Sequence, residues 1–176
     1  LDYFRLPEDP VARHQTQQLQ QHAFIAQVLL AQEHRLPLLI HVRDQAVPET
    51  EQPANAYWDT LRILREYHHG YQPFILHCVS GPQAYLAAAL ELGAYIGVAG
   101  NVTYKNADAI RALVRMTPAD RILLETDAPF LPPVPHRGHA CEPWMVSLTG
   151  AYLQDELNIS LDRIYQNTLR FFPTFA

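Results

Sequence analysis

Four short apolar runs, each followed by a helical pattern, constrain the fold of this chain more than any other feature. Residues 37–43 (PLLIHVR), 73–79 (PFILHCV), 94–100 (AYIGVAG) and 121–127 (RILLETD) read as strands. Their nearly continuous apolar character is that of parallel strands covered on both faces. Ahead of the first strand, Leu19, Ala23, Ala26 and Leu30 recur at helical spacing. After it Tyr57, Leu61 and Leu64 do the same, with Gly70 as the stop. Pro82 and Gly93 bracket a third helix, and Asn106 and Pro118 a fourth. Two more are opened by Pro143 and capped by Ser160. Strands alternating with helices imply βα units on a parallel sheet.

No Gly-rich turn opens a helix in dinucleotide or P-loop spacing, which argues against an open nucleotide-binding sheet. Gly97 and Gly100, inside the third strand, mark a close approach of backbone. The favoured architecture is therefore an α/β barrel of the (β/α)8 TIM type. A complete barrel takes about 200 residues at minimum, whereas 176 residues hold four clear strands and a stub at residues 1–4. The expectation is a single, incomplete barrel domain over residues 1–176, covering roughly the last four to five βα units.

Composition narrows the function. With 48% hydrophobic and 18% charged residues the chain has the make-up of a cored globular protein, not of a disordered chain or a coiled coil. No apolar run approaches the roughly 18 residues of a membrane helix. The absence of a secretory segment and the presence of two cysteines, Cys78 and Cys141, point to the cytoplasm. The net charge is −5 and Lys105 is the sole lysine, which excludes binding nucleic acid through a broad basic patch. Any phosphate handled here has to meet metal ions or a few placed arginines.

The chemistry-bearing residues gather at strand ends. By the two-residue repeat of a strand, Leu39, His41 and Arg43 share one face; so do Ile75, His77 and Val79, and Leu123, Glu125 and Asp127. The C-terminal ends of parallel barrel strands are where active sites form. Two imidazoles and a carboxylate there can converge on a divalent ion, suiting zinc, manganese or iron better than an all-oxygen magnesium cage. A single strand-end histidine is ordinarily just a satisfied polar residue; three metal-competent groups at equivalent ends make that reading harder to sustain. Cys78 has the opposite parity and reads as a small packing residue. The proline-rich loop 128–138 follows the last strand and would present Arg137, whose planar fork suits phosphate, in a set direction. His136, His139 and Cys141 do not complete a second metal cluster.

Taken in order, these residues resemble the TatD-type metal-dependent deoxyribonucleases, a branch of the amidohydrolase-like TIM barrels. The matching motifs are Leu1-Asp2-Tyr3, Ile40-His41-Val42-Arg43, Leu76-His77-Cys78, Gly93-Ala94-Tyr95-Ile96-Gly97, Leu124-Glu125-Thr126-Asp127-Ala128-Pro129 and Pro135-His136-Arg137-Gly138. The resemblance implies a two-metal hydrolase cutting phosphodiesters of DNA, without distinguishing magnesium, manganese and zinc. It makes His41 and His77 ligands of one ion and Asp127 the aspartate on the other, beside the attacking water. Glu125 becomes a partner that orients a ligand, and Arg43 and Arg137 become substrate-binding or ligand-supporting residues. The family's H-x-H pair and bridging glutamate would lie ahead of Leu-Asp-Tyr and are not in this sequence, so these residues by themselves are expected to show little activity. The loop 45–56 is longer than the family's usual connection and reads as a lid or a tolerated insertion. Two alternatives stay open: an enzyme cutting a small-molecule amide or ester, and a truncated, non-catalytic domain. Oligomeric state is not legible.

Overall fold

The computed structural model describes residues 1–69 and 72–172. The elements follow in the order α1 (Pro10–His34), β1 (Leu38–His41), α2 (Ala56–Tyr67), β2 (Phe74–His77), α3 (Gln83–Glu91), β3 (Tyr95–Val98), α4 (Asp108–Met116), β4 (Ile122–Leu124), α5 (Val146–Leu157) and α6 (Leu161–Phe171). All four strands fall inside the runs read from the sequence and are shorter at both ends. Gly70 lies outside the described residues; α2 ends at Tyr67 with His68 as its cap. Asn106 is not the cap of α4, which starts at Asp108 behind Ala107.

The chain divides into two compact units, Leu1–Ile75 with Gly81–Ala94, and Leu76–Ser80 with the chain from Tyr95 on. In the first, α1 packs on α2, and α2 on α3. Asp9 caps α1 by accepting from the Ala12 amide at 2.8 Å, and Pro10 fills the position whose N–H needs no partner. β1 lies beside β2, and the Leu38 amide donates to the Pro73 carbonyl at 3.1 Å. The segment Leu1–Tyr3 runs parallel to the end of β1 through an Asp2–Arg43 bridge, with the Tyr3 amide on the Arg43 carbonyl at 2.8 Å.

β1 departs from the reading of strands covered on both faces. Leu38 and Ile40 are buried, whereas Leu39 is 60% exposed and His41 is exposed beside it. The apolar stripe of α1 also faces outward: Leu19, Ala23, Ala26 and Leu30 are all exposed, while Val28 and Ala31 are buried. Between these two surfaces lies an apolar groove of about 540 Å³ lined by Phe24, Leu30, Leu36 and Leu39 among others.

The second unit is closed by contrast. β3 pairs in parallel with β4 in the register Ile96–Ile122, Gly97–Leu123 and Val98–Leu124, and all four β3 residues are buried. α5 and α6 pack on β4. Phe171, fully buried, meets Tyr95 edge-on at 5.2 Å. Burying a side chain of that size contributes roughly 1.5–3 kcal/mol. Asn167, also buried, donates to the Ala119 and Ile122 carbonyls at 2.8 and 2.9 Å and so ties α6 to the start of β4 and to the turn before it. Among the described residues, no helix is long and apolar enough to cross a membrane.

Candidate metal centre

His77 closes β2, and Glu125 and Asp127 lie just past β4, two residues apart in extended chain. That spacing puts both carboxylates on one side, and each takes a different nitrogen of the same ring. His77 Nδ1 lies 2.8 Å from Glu125 Oε2, and Nε2 lies 3.2 Å from Asp127 Oδ1. Glu125 also accepts, through its other oxygen, the backbone N–H of Cys78. To reach it, Cys78 takes a left-handed conformation with φ of 47°, unusual for a residue with a side chain.

Gly97 makes room for this clamp: a Cβ there would fall on the Glu125 carboxyl group. The close approach read from a glycine within a strand is thus a carboxylate lying over the backbone. The Cys78 thiol is pushed up to about 12, by burial first and then by the Glu125 and Asp127 charges. Burial of this kind makes a structural thiol and not a reactive one. Cys141 is buried and its thiol is likewise raised, chiefly by burial.

His77 is raised to about 8, the Glu125 hydrogen bond foremost, with burial opposing and Asp127 adding. A carboxylate can only accept, so Nδ1 carries a proton toward Glu125. In the neutral ring Nε2 then presents a lone pair to Asp127 Oδ1. Two lone pairs 3.2 Å apart repel unless a proton or a cation lies with them. This donor set fits a divalent ion, with the tautomer fixed from behind by a carboxylate.

His41 stands in the first unit at the end of β1, its Nε2 3.1 Å from Asp2 Oδ2. Both side chains are about half exposed. Asp2 is held below the usual carboxylate range: burial alone would raise it, but the Phe4 amide, His41 and Arg43 outweigh that. Asp2 was not singled out from the sequence, where it is one residue of a short stub. Its signal is tertiary, since only the parallel pairing with Arg43 brings it to His41. Among the described residues, no group of three or more His, Cys, Asp or Glu is arranged as a metal site; His77 meets Glu125 and Asp127, and His41 meets Asp2.

The two arginines are held against aromatic rings. Arg43 lies 3.7 Å over Phe4, and Arg137 lies 4.2 Å over Tyr104. Both are exposed, so each guanidinium keeps an edge for an anion. The loop 45–56 is pinned rather than loose: the Ala56 amide donates to Asp44 at 2.7 Å, Gln45 to the Phe4 carbonyl at 2.7 Å and Trp58 to the Pro48 carbonyl at 3.2 Å.

The fold and this arrangement define an α/β protein of the TIM-barrel type with paired histidine and carboxylate donors at strand ends. The profile of the family described as TatD related DNase matches residues 1–175, nearly the whole chain and not merely a C-terminal segment of it. The chain is 35% identical over 168 residues to the uncharacterized metal-dependent hydrolase YcfH of Escherichia coli (strain K12), covering 96% of this chain and 57% of YcfH. It is 34% identical over 119 residues to the 3'-5' ssDNA/RNA exonuclease TatD of Citrobacter rodentium, covering 67% of this chain and 41% of that protein. The crystal structure of YJJV, a TatD homolog from Escherichia coli, superposes with a TM-score of 0.76 at 25% identity, over 98% of this chain and 61% of that one. The chain belongs to the TatD family and spans about two fifths to three fifths of the length of these relatives.

Proposed function

We propose that this chain carries ligands and substrate groups of a divalent-metal-dependent hydrolase that cuts phosphodiester bonds in nucleic acid. The observation that carries the reading is the His77 ring, its Nδ1 on Glu125 and its Nε2 turned to Asp127. The Citrobacter relative's name, an exonuclease of single-stranded DNA and RNA, supports the choice of substrate.

His41, His77 and Asp127 are the residues we assign to two divalent ions. Such ions supply positive charge against phosphate oxygens and lower the pKa of water. The chain's own groups do the rest. Glu125 fixes the His77 tautomer so that Nε2 faces the site with its lone pair. Asp127, about one-third exposed, is within reach of solvent to orient a water and accept its proton. Arg137, held over the Tyr104 ring, offers N–H groups to a phosphate. Arg43, on Phe4, does the same on the first unit.

Two measurements test this. Calorimetric titration with manganese or zinc is expected to show binding that His77→Ala and Asp127→Asn each weaken at least tenfold. Incubation of single-stranded DNA with manganese is then expected to release nucleotides, more slowly than with the longer relatives. No metal binding, or release of product from an amide and ester panel but not from DNA, contradicts the proposal.

A further inference from the structure

Residues 128–145 leave two large aromatic side chains in solvent, Phe130 at 66% exposure and Trp144 at 51%. A mobile loop could expose such residues incidentally, but this loop is tied down. The Phe130 amide donates to the Asp127 carbonyl at 2.7 Å, and the Cys141 amide to the Pro129 carbonyl at 2.9 Å. The Val134 amide donates to Thr103 Oγ1 at 2.9 Å, and the Tyr104 hydroxyl to the Pro132 carbonyl at 2.9 Å. With five prolines in the segment, the exposed rings are presented by a rigid backbone at low entropic cost.

The rings are also arranged. His136 meets Trp144 edge-on at 5.5 Å between centroids, and the next residue, Arg137, lies 4.2 Å over Tyr104. Consecutive residues therefore link an edge-on ring pair and a cation–ring pair. The Cys141–Pro129 hydrogen bond brings the Phe130 and Trp144 ends of the loop together. This part of the loop begins three residues after Asp127 and carries a guanidinium. An aliphatic partner surface would want leucines and valines, and here Val134 is the one exposed large aliphatic residue of the segment among the described residues. Flat faces beside a cation suit flat, anionic ligands instead.

We infer that the loop 128–145 is a stacking platform for the bases of a single nucleic-acid strand, with Phe130 and Trp144 as its stacking faces and Arg137 as its phosphate contact. The inference deepens the reading of Asp127 as part of a phosphodiesterase and rests on it for the placement of the strand's end. Base stacking would add to the Arg137 contact, a mode that relies less on broad positive charge and so suits a chain of net charge −5.

The probe is a fluorescein-labelled twelve-residue oligothymidylate in EDTA at low salt, read by anisotropy and by tryptophan emission. Of the two tryptophans Trp58 is buried, so quenching reports Trp144. Oligothymidylate is expected to quench Trp144 and to bind at least tenfold tighter than an all-abasic strand of equal length, which keeps the phosphates and lacks the bases. Phe130→Ala and Trp144→Ala are each expected to weaken binding about tenfold, the usual loss of one stacked base. Phe130→Tyr is expected to restore affinity and Phe130→Leu not to, which separates a π-face from apolar bulk should an alanine variant fold poorly. Equal binding of the two strands, unchanged affinity of the alanine variants, or self-association in place of binding overturns the platform. Because EDTA removes the metal, oligothymidylate binding without metal-dependent cleavage supports the platform while contradicting the proposed activity.

Discussion

Two histidines close neighbouring strands of this chain, and the structure treats them differently. His77 is largely buried, with a carboxylate on each nitrogen and one of those carboxylates locked in turn by the Cys78 amide. His41 lies on an exposed strand face and meets Asp2 at 3.1 Å, both side chains being about half exposed. The surroundings match: β3 is buried on both faces, whereas β1 leaves Leu39 open beside an apolar groove. The contrast teaches that the orientation of a strand-end histidine is set by what lies behind it. A fixed tautomer and a dry environment pre-organise Nε2, and His41 has less of either.

The largest effect that would sharpen this contrast is in packing. Ile96→Ala in β3 is expected to cost about 2–5 kcal/mol in chemical denaturation. Leu39→Ala in β1, on an exposed face, is expected to fall within about 0.5 kcal/mol. Equal losses would mean that β1 is as tightly covered as β3.

Next comes the clamp. Glu125→Gln keeps the shape but puts an amide donor where either the Cys78 N–H or His77 Nδ1 needs an acceptor. It is expected to weaken manganese or zinc binding about 10–100-fold. Asp2→Asn, at the more solvated histidine, is expected to change it only severalfold. Reversal of that order in calorimetry would break the comparison. Gly97→Ala should follow Glu125→Gln in metal affinity, because the added methyl displaces the same carboxyl group, and should cost about 1–3 kcal/mol of stability as overpacking.

Part of this was legible without the fold. Strand parity placed Glu125 and Asp127 on one face, and the structure sets both on the His77 ring, because a two-residue repeat survives into the extended chain past β4. Gly97 was legible as a close approach, though not what approached. The stripe Leu19, Ala23, Ala26 and Leu30 identified a helix correctly but not a buried face, since periodicity fixes a conformation without saying what covers it. Asp2 and the φ of Cys78 depend on contacts across tens of residues, which no local pattern encodes. The exposure of Phe130 and Trp144 was equally invisible, because composition treats an aromatic residue as core.

The smallest expected effect concerns pH in the first unit. Asp59, buried, accepts from the Tyr3 hydroxyl at 3.1 Å and from Gln21 at 3.1 Å, and burial raises its carboxyl above the usual range. A carboxyl that binds its proton more tightly when folded contributes stability below its unfolded pKa and loses it as pH rises through the folded value. Asp59→Asn is therefore expected to narrow the wild type's relative advantage at pH 7 and to widen it near pH 4, in paired urea denaturations. The opposite trend would mean that Arg62 and the hydrogen bonds outweigh burial.

The most direct test of the central claim is the tautomer of His77, read by long-range 1H–15N NMR with His77→Asn to assign its signals among nine histidines. The account predicts a neutral ring protonated on Nδ1 above pH 9. It predicts further that substoichiometric zinc shifts the Nε2 resonance, and that Glu125→Gln abolishes the tautomer preference. A ring protonated on Nε2, or an Nε2 resonance indifferent to zinc, would contradict the assignment of this histidine as a pre-organised metal ligand.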